Sequence, residues 1–252
     1  MTDHSAMKLG LIRSAPNMSV PALGDVWSGA PMLADTMLGA VEWYSRVPSD
    51  WGMMGNDEVG DCTCAAIGHV IEQWTAYTDP APVIMTTEQV ISAYSAISGY
   101  VPGQAETDTG ATCVAALTYW MRTGVDTPGG GPDTLAAFAR VDNVGELRRA
   151  IATFGNVYAG VALPTSAQSE DVWSSTADEP GSWGGHCVPL VGFNPIGPIC
   201  VTWGALKQMT WAWWEKYGEE AYAPLSHDWM RASGLDPAGV NWDALKAALE
   251  AL

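Results

Sequence analysis

The sequence predicts an α+β protein on three observations. Helical periodicity fills the first half, strand runs fill the second, and the Gly/Pro-rich string TPGGGPD at 127–133 separates them. The first helix is expected over CTCAAIGHVIEQWTAYT, starting at Cys62. There Ala66, Ile67, Val70, Ile71 and Trp74 recur at spacings of three and four, and Asp61 is available as N-cap. A second helix is expected in TTEQVISAYSAISG, where Thr86 and Gln89 stand at capping-box spacing and Gly99 suits a C-cap. A third is expected over GATCVAALTYWMRTG, ending at Gly124. Past the separating loop, VGELRRAIATFG fits a short helix and NVYAGVALP a strand, whereas the polar, Gly-rich residues 165–185 read as loop. HCVPLVGFN and GPICVTWG look like successive strands with a turn at Asn194-Pro195, and TWAWWEKYGEEAY starts as a helix behind Thr210. In NWDALKAALEAL an apolar stripe of Trp242, Leu245, Leu249 and Leu252 follows an Asn241 cap.

These elements divide the chain into an extended arm over 1–45 and a body over 46–252. The body has a helical half at about 46–130, a strand-rich half at about 131–235 and a C-terminal helix at about 241–252. The arm is rich in Met, Pro, Gly, Ser and Ala, yet carries apolar clusters such as Val26-Trp27 and Met32-Leu33. Such residues gain by burial, so the arm is expected to dock on its own body or on a partner. It is read as an interaction strap serving self-association or a protein partner, and as too short for an inhibitory propeptide.

Composition narrows the function. With 28 acidic residues against 11 basic, a net charge of −17 argues against nucleic-acid backbones and anionic membrane surfaces. No apolar run reaches the roughly 18 residues of a membrane span, and the start lacks a secretory pattern, so a cytoplasmic or virion-associated protein is expected. The cysteines, Cys62, Cys64, Cys113, Cys187 and Cys200, are odd in number and irregularly spaced, unlike a disulfide framework. Cys62 and Cys64 are closer than a usual zinc pair, so neither metal nor cofactor is expected.

A thiol nucleophile needs a group that favours thiolate, an imidazole within reach and donors for an oxyanion. Cys62 stands at a predicted helix start, where free N–H groups and the helix dipole favour thiolate. Asn56, six residues earlier, carries a side-chain amide able to donate to an oxyanion. Far downstream, GGHCVPLVGFN puts His186 at a strand start behind two glycines that would let a substrate backbone approach. His69, His4 and His227 show no comparable role.

In these residues the chain resembles the papain-like cysteine peptidases. That family has a Gln six residues before a nucleophilic Cys that opens the central helix, and commonly a Glu ten residues into it. The corresponding positions here are Asn56, Cys62 and Glu72. The family's H-A-V-x-x-V-G-Y-N strand corresponds to H-C-V-P-L-V-G-F-N, and its N-S-W-G to Val201-Thr202-Trp203-Gly204. MTTEQVISAY and ELRRAIATFGNVYAGVAL echo further pieces, in order, over about residues 48–205. The resemblance implies a two-lobe fold, a helical half and an antiparallel β-barrel-like half, with Cys62 and His186 facing across a cleft and Trp203 beside the histidine. It also places Val201 at the third catalytic position, where valine cannot orient an imidazole. Thr202, next along the strand, is expected on the opposite face.

Two functions follow. One is a cysteine hydrolase, a peptidase or amidase acting on a peptide or protein, with Cys62 as nucleophile, His186 as base and acid, and Asn56 at the oxyanion. The other is a papain-like structural or binding module of a larger assembly, such as a phage virion, with little or no activity. The joint presence of Cys62, His186 and Asn56 favours the first.

Overall fold

A computed structural model describes residues 3–15, 20–26 and 39–229. The elements in chain order are α1 (Leu23–Val26), β1 (Val41–Glu42), α2 (Cys62–Thr78), α3 (Thr87–Ser98), α4 (Cys113–Arg122), β2 (Val125–Asp126), β3 (Pro132–Asp133), β4 (Ala137–Arg140), α5 (Val144–Phe154), β5 (Val157–Leu163), β6 (Val172–Trp173), β7 (Gly184–Phe193), β8 (Pro198–Thr202), β9 (Ala205–Met209), α6 (Trp211–Tyr217) and β10 (Gly218–Leu225). The expected C-terminal helix and the clusters around Trp27 and Met32 lie outside the described residues.

Local chemistry sets several boundaries. Thr86 and Gln89 form a reciprocal capping box at the start of α3, and Gly99 ends that helix in the left-handed conformation. Thr112, Asn143 and Thr210 accept from backbone N–H groups at the starts of α4, α5 and α6. Asp61 departs from expectation: its side chain makes no cap bond to α2. Its carboxyl is fully buried, and burial pushes its pKa well above the usual carboxylate range. The backbone carbonyl of Asp61 instead accepts from Cys64 and Ala65.

The strands from β4 onward build a mostly antiparallel sheet ordered β4-β10-β5-β7-β8-β9-β6, with β1 also paired to β7, while β2 and β3 pair with each other. The path does not close on itself. The segment 165–185, expected as loop, contributes β6, which pairs in parallel with β9 because Trp173 is drawn fully into the core. The helix expected at the start of TWAWWEKYGEEAY ends at Tyr217, and GEEAY opens β10, sandwiched between β5 and β4. Trp173, Trp213, Trp203 and Tyr217 share one core with Val161, Val188 and Leu190, and Trp173 stacks on Trp213 at 4.9 Å.

Helix α2 is buried along nearly its whole length, which suits a helix lying between two halves. Its polar groups are bound where it meets the second half: Trp74 Nε1 donates to Phe154 O at 2.7 Å and Gln73 Nε2 to Gly155 O at 2.8 Å. Cys62 is thereby carried at the start of a rigid element against β7.

Candidate active site

Three pieces of chain converge on the first turn of α2: the 52–60 loop before it, strand β7, and the N-terminal segment. Cys62 and His186 are both essentially buried, at 1% exposure each. Backbone N–H groups of Cys187 and Gly10 lie near the Cys62 sulfur and favour its thiolate. Burial outweighs them, and the Cys187 thiol and Asp61 add to it, so the Cys62 pKa is pushed strongly upward. The helix-start argument anticipated a stabilised thiolate, which this desolvation overturns in the covered state.

His186 Nε2 lies 2.8 Å from Thr202 Oγ1. Its ring stacks on Trp203 at 4.7 Å, and its Nδ1 is buried without a hydrogen-bond partner among the described residues. Burial and His69 lower the imidazole to about 3. Thiol and imidazole are therefore both neutral at pH 7. Thr202 corrects the sequence reading, which put its side chain on the face away from His186. Val201 is the one that points away, into an apolar cluster with Val47, Trp51 and Val191.

The reason lies in the sheet register. At its turn end the β7–β8 hairpin pairs Phe193 with Pro198 and Gly192 with Ile199. Continued regularly, that pairing would set Leu190 opposite Val201 and bring Val201 to the face of His186. A bulge between Leu190 and Gly192 shifts the register, so Leu190 pairs with Cys200 and Thr202 takes the histidine's face. Trp203 and Gly204 then form a two-residue turn into β9, both with positive φ (48° and 73°). Trp203 adopts a backbone conformation uncommon for a bulky residue, and its ring covers His186.

Asn56 is buried ahead of the helix; its Nδ2 donates to Val59 O at 3.3 Å, and its amide also lies against the Asp61 carboxyl. His69, without an assigned role in the sequence, donates its Nε2–H to Gly52 O at 3.0 Å and meets Trp51 edge-on. It ties α2 to the loop whose Trp51 N–H donates to Gly204 O.

The N-terminal segment occupies the cleft. Leu11 N–H donates to Gly185 O, the residue before His186, while Ala111 N–H donates to Gly10 O and Ile12 N–H to Ala111 O. Leu11 and Ala111 form a parallel bridge. The Leu11 side chain is buried in the same apolar cluster as Ala111, Cys113, Tyr158, Cys187 and Tyr222. Upstream, His4 stacks on Trp203 at 5.0 Å. Glycines make the fit: a Cβ on Gly10 would sit 1.7 Å from Gly60 O, and one on Gly185 would sit 2.4 Å from Leu11 O. The glycines before His186, read as room for a substrate backbone, here receive the chain's own. Of the two places the arm was expected to dock, residues 4–14 take the chain's own body. Gly10, Gly60 and His4 carried no spacing signal, because their roles exist only once the segment is seated.

Five buried groups, His69, His186, Glu72, Asp228 and Asp61, make stability pH-dependent. Burial lowers His69 to about 4 and His186 to about 3, so the unfolded chain binds more protons below about pH 6.5 and folding weakens as the pH drops. Burial raises Glu72 to about 8, and burial with Asp133 raises Asp228 to about 8. Those two shifts favour folding below the ordinary carboxylate range and lose that benefit as the pH climbs to 8. Asp61, likewise raised by burial, adds a third slope of the same sign. Between about pH 4.5 and 6.5 the carboxyls therefore outweigh the two histidines, and Tm should fall gently with rising pH, then more steeply up to pH 8. Glu72→Gln should flatten the alkaline decline, by about 1.4 kcal/mol per pH unit at most. A Tm that climbs steadily from pH 5 to 8 would contradict this assignment.

A central helix opening with a buried cysteine, packed against a largely antiparallel sheet that carries a histidine, defines the papain-like fold. Solved structures agree. Xylellain, a cysteine protease from Xylella fastidiosa, is similar at a TM-score of 0.62 and 15% identity, covering 90% of this chain and 98% of that one. Digestive procathepsin L 3 of Tenebrio molitor larval midgut gives 0.60 at 16% identity over 88% and 77% of the two chains. Procathepsin B S9 from Trypanosoma congolense gives 0.57 at 12% identity over 87% of each. No protein-family model matches the sequence. No curated protein matches it either.

Proposed function

We propose that the protein is a cysteine hydrolase of peptide or amide bonds, kept latent by its own N-terminal strap. The observation that carries this reading is the seating of residues 10–12. An extended polypeptide is bound by backbone hydrogen bonds to Gly185 and Ala111, with its amide against the Cys62 sulfur. A groove that holds one extended chain beside a cysteine and a histidine suits a peptide substrate. The three neighbours described above include two proforms by name.

The strap is not poised to be cut. Attack needs a carbonyl carbon at the sulfur, whereas Gly10 presents an N–H. With the strap withdrawn, water returns, the desolvation that raises the thiol and lowers the imidazole falls away, and proton transfer from Cys62 to His186 becomes favourable. The thiolate then adds to the substrate carbonyl, with the Cys62 backbone N–H and the Asn56 amide, once turned from Val59 and Asp61, donating to the oxyanion. His186 protonates the leaving amine, and water attacks the resulting thioester with His186 as base. Thr202, bound at Nε2, holds the ring so that Nδ1 serves the sulfur.

The test is labelling and turnover. On strap-released protein, limiting iodoacetamide at pH 6 should modify Cys62 ahead of the other four cysteines. His186→Ala should slow that labelling, and Cys62→Ala should abolish cleavage of a mixed fluorogenic peptide library. Equal labelling of all five thiols, with no Cys62-dependent cleavage, would overturn the hydrolase reading in favour of a binding module.

A further inference from the structure

The Cys113 and Cys187 sulfurs are 3.8 Å apart although the residues are 74 positions apart in sequence. Neither belongs to the proposed catalytic set. Cys113 is the first residue of α4 in the helical half, and Cys187 follows His186 on β7 in the strand half. Both are buried, at 0% and 3% exposure, in the cluster that receives Leu11. We infer that Cys113 and Cys187 are a modification site, a thiol pair that a peroxide converts into a disulfide joining the two halves beneath the strap.

The step balances simply. The Cys187 sulfur, the less enclosed, attacks one peroxide oxygen; the O–O bond breaks, leaving a sulfenic acid and one water. Cys113 then attacks the Cys187 sulfur, the S–O bond breaks, and a second water departs with the two thiol protons accounted for. Two thiols and one hydrogen peroxide thus give one disulfide and two waters. Closing 3.8 Å to the roughly 2.05 Å of an S–S bond asks for a movement that side-chain rotation can supply. The bond would fix the strand bearing His186 to the helical half and form part of the floor on which Leu11 rests.

The experiment uses the full chain with Cys62→Ser, so that it reads independently of any hydrolase activity. After hydrogen peroxide treatment, blocking in denaturant and peptide mapping, the expected product is a Cys113–Cys187 cross-linked peptide pair, lighter by two hydrogens and restored by dithiothreitol. Its thermal midpoint should rise by several degrees, since a long loop is closed. Cys113→Ser should remove the cross-link and leave Cys187 reactive toward dimedone. Repeating the treatment with Gly10→Val added admits oxidant where the strap impedes it, and a cross-link formed faster there supports the same site. A dominant disulfide using Cys64 or Cys200, or oxidation to sulfinic acid without any cross-link in both backgrounds, would overturn the proposal.

Discussion

Gly10→Val should accelerate alkylation of Cys62 at pH 7 by about 10²-fold or more, because each pKa unit regained is tenfold in thiolate and the sulfur also becomes accessible. The side chain has no room: its first carbon would sit 1.7 Å from Gly60 O, a backbone atom that side-chain rotation cannot displace. The strap must therefore leave the sulfur, taking with it the Gly10 amide and unseating Leu11 from its pocket. Cleavage of a peptide library should appear or rise in parallel. Mass mapping after timed iodoacetamide exposure gives the rate. A Gly10→Val protein that folds, yet labels Cys62 no faster than the parent, would show that the strap does not control the thiol. Gly39→Val is the matched control, since a Cβ there meets nothing within 4 Å.

Thr202→Val should lower turnover of the strap-released protein by about 10²-fold. That is less than the roughly 10⁴ that a serine nucleophile loses without its orienting group, because a thiol is intrinsically the stronger acid. The substitution keeps the shape at position 202 but removes the oxygen 2.8 Å from His186 Nε2, freeing the ring to turn. Thr202→Ser should retain most activity. Val201→Asn, which restores the family's residue at that position, should leave the rate unchanged and cost about 1–3 kcal/mol, because its amide would be buried in an apolar cluster. If Val201→Asn raised turnover and Thr202→Val did not lower it, the register argument would be wrong. A shift in the pH profile of Cys62 alkylation with Thr202→Val would separate loss of orientation from general destabilisation.

Much of the frame was readable because it rests on local chemistry. The α2 span from Cys62 to Thr78 follows from apolar spacing, and the α3 capping box from Thr86 and Gln89. What escaped was contact-dependent. Trp173 makes a strand of an apparent loop by entering the core, and β10, given no element in the sequence reading, forms because β4 and β5 pair with its two edges. Strand propensity is weak where pairing partners lie far off in sequence.

By itself the sequence determined the α+β order, the places of Cys62 and His186 at the starts of a helix and a strand, and the acidic surface charge. These depend on residues within a few positions of one another, or on simple sums. Only the tertiary structure decided which strand residue faces His186, since one bulge between Leu190 and Gly192 exchanges Val201 for Thr202. It also decided the protonation of the site. A helix start favours thiolate, but the strap of residues 4–14 removes the water that would solvate it. That desolvation outweighs the dipole, leaving thiol and imidazole neutral.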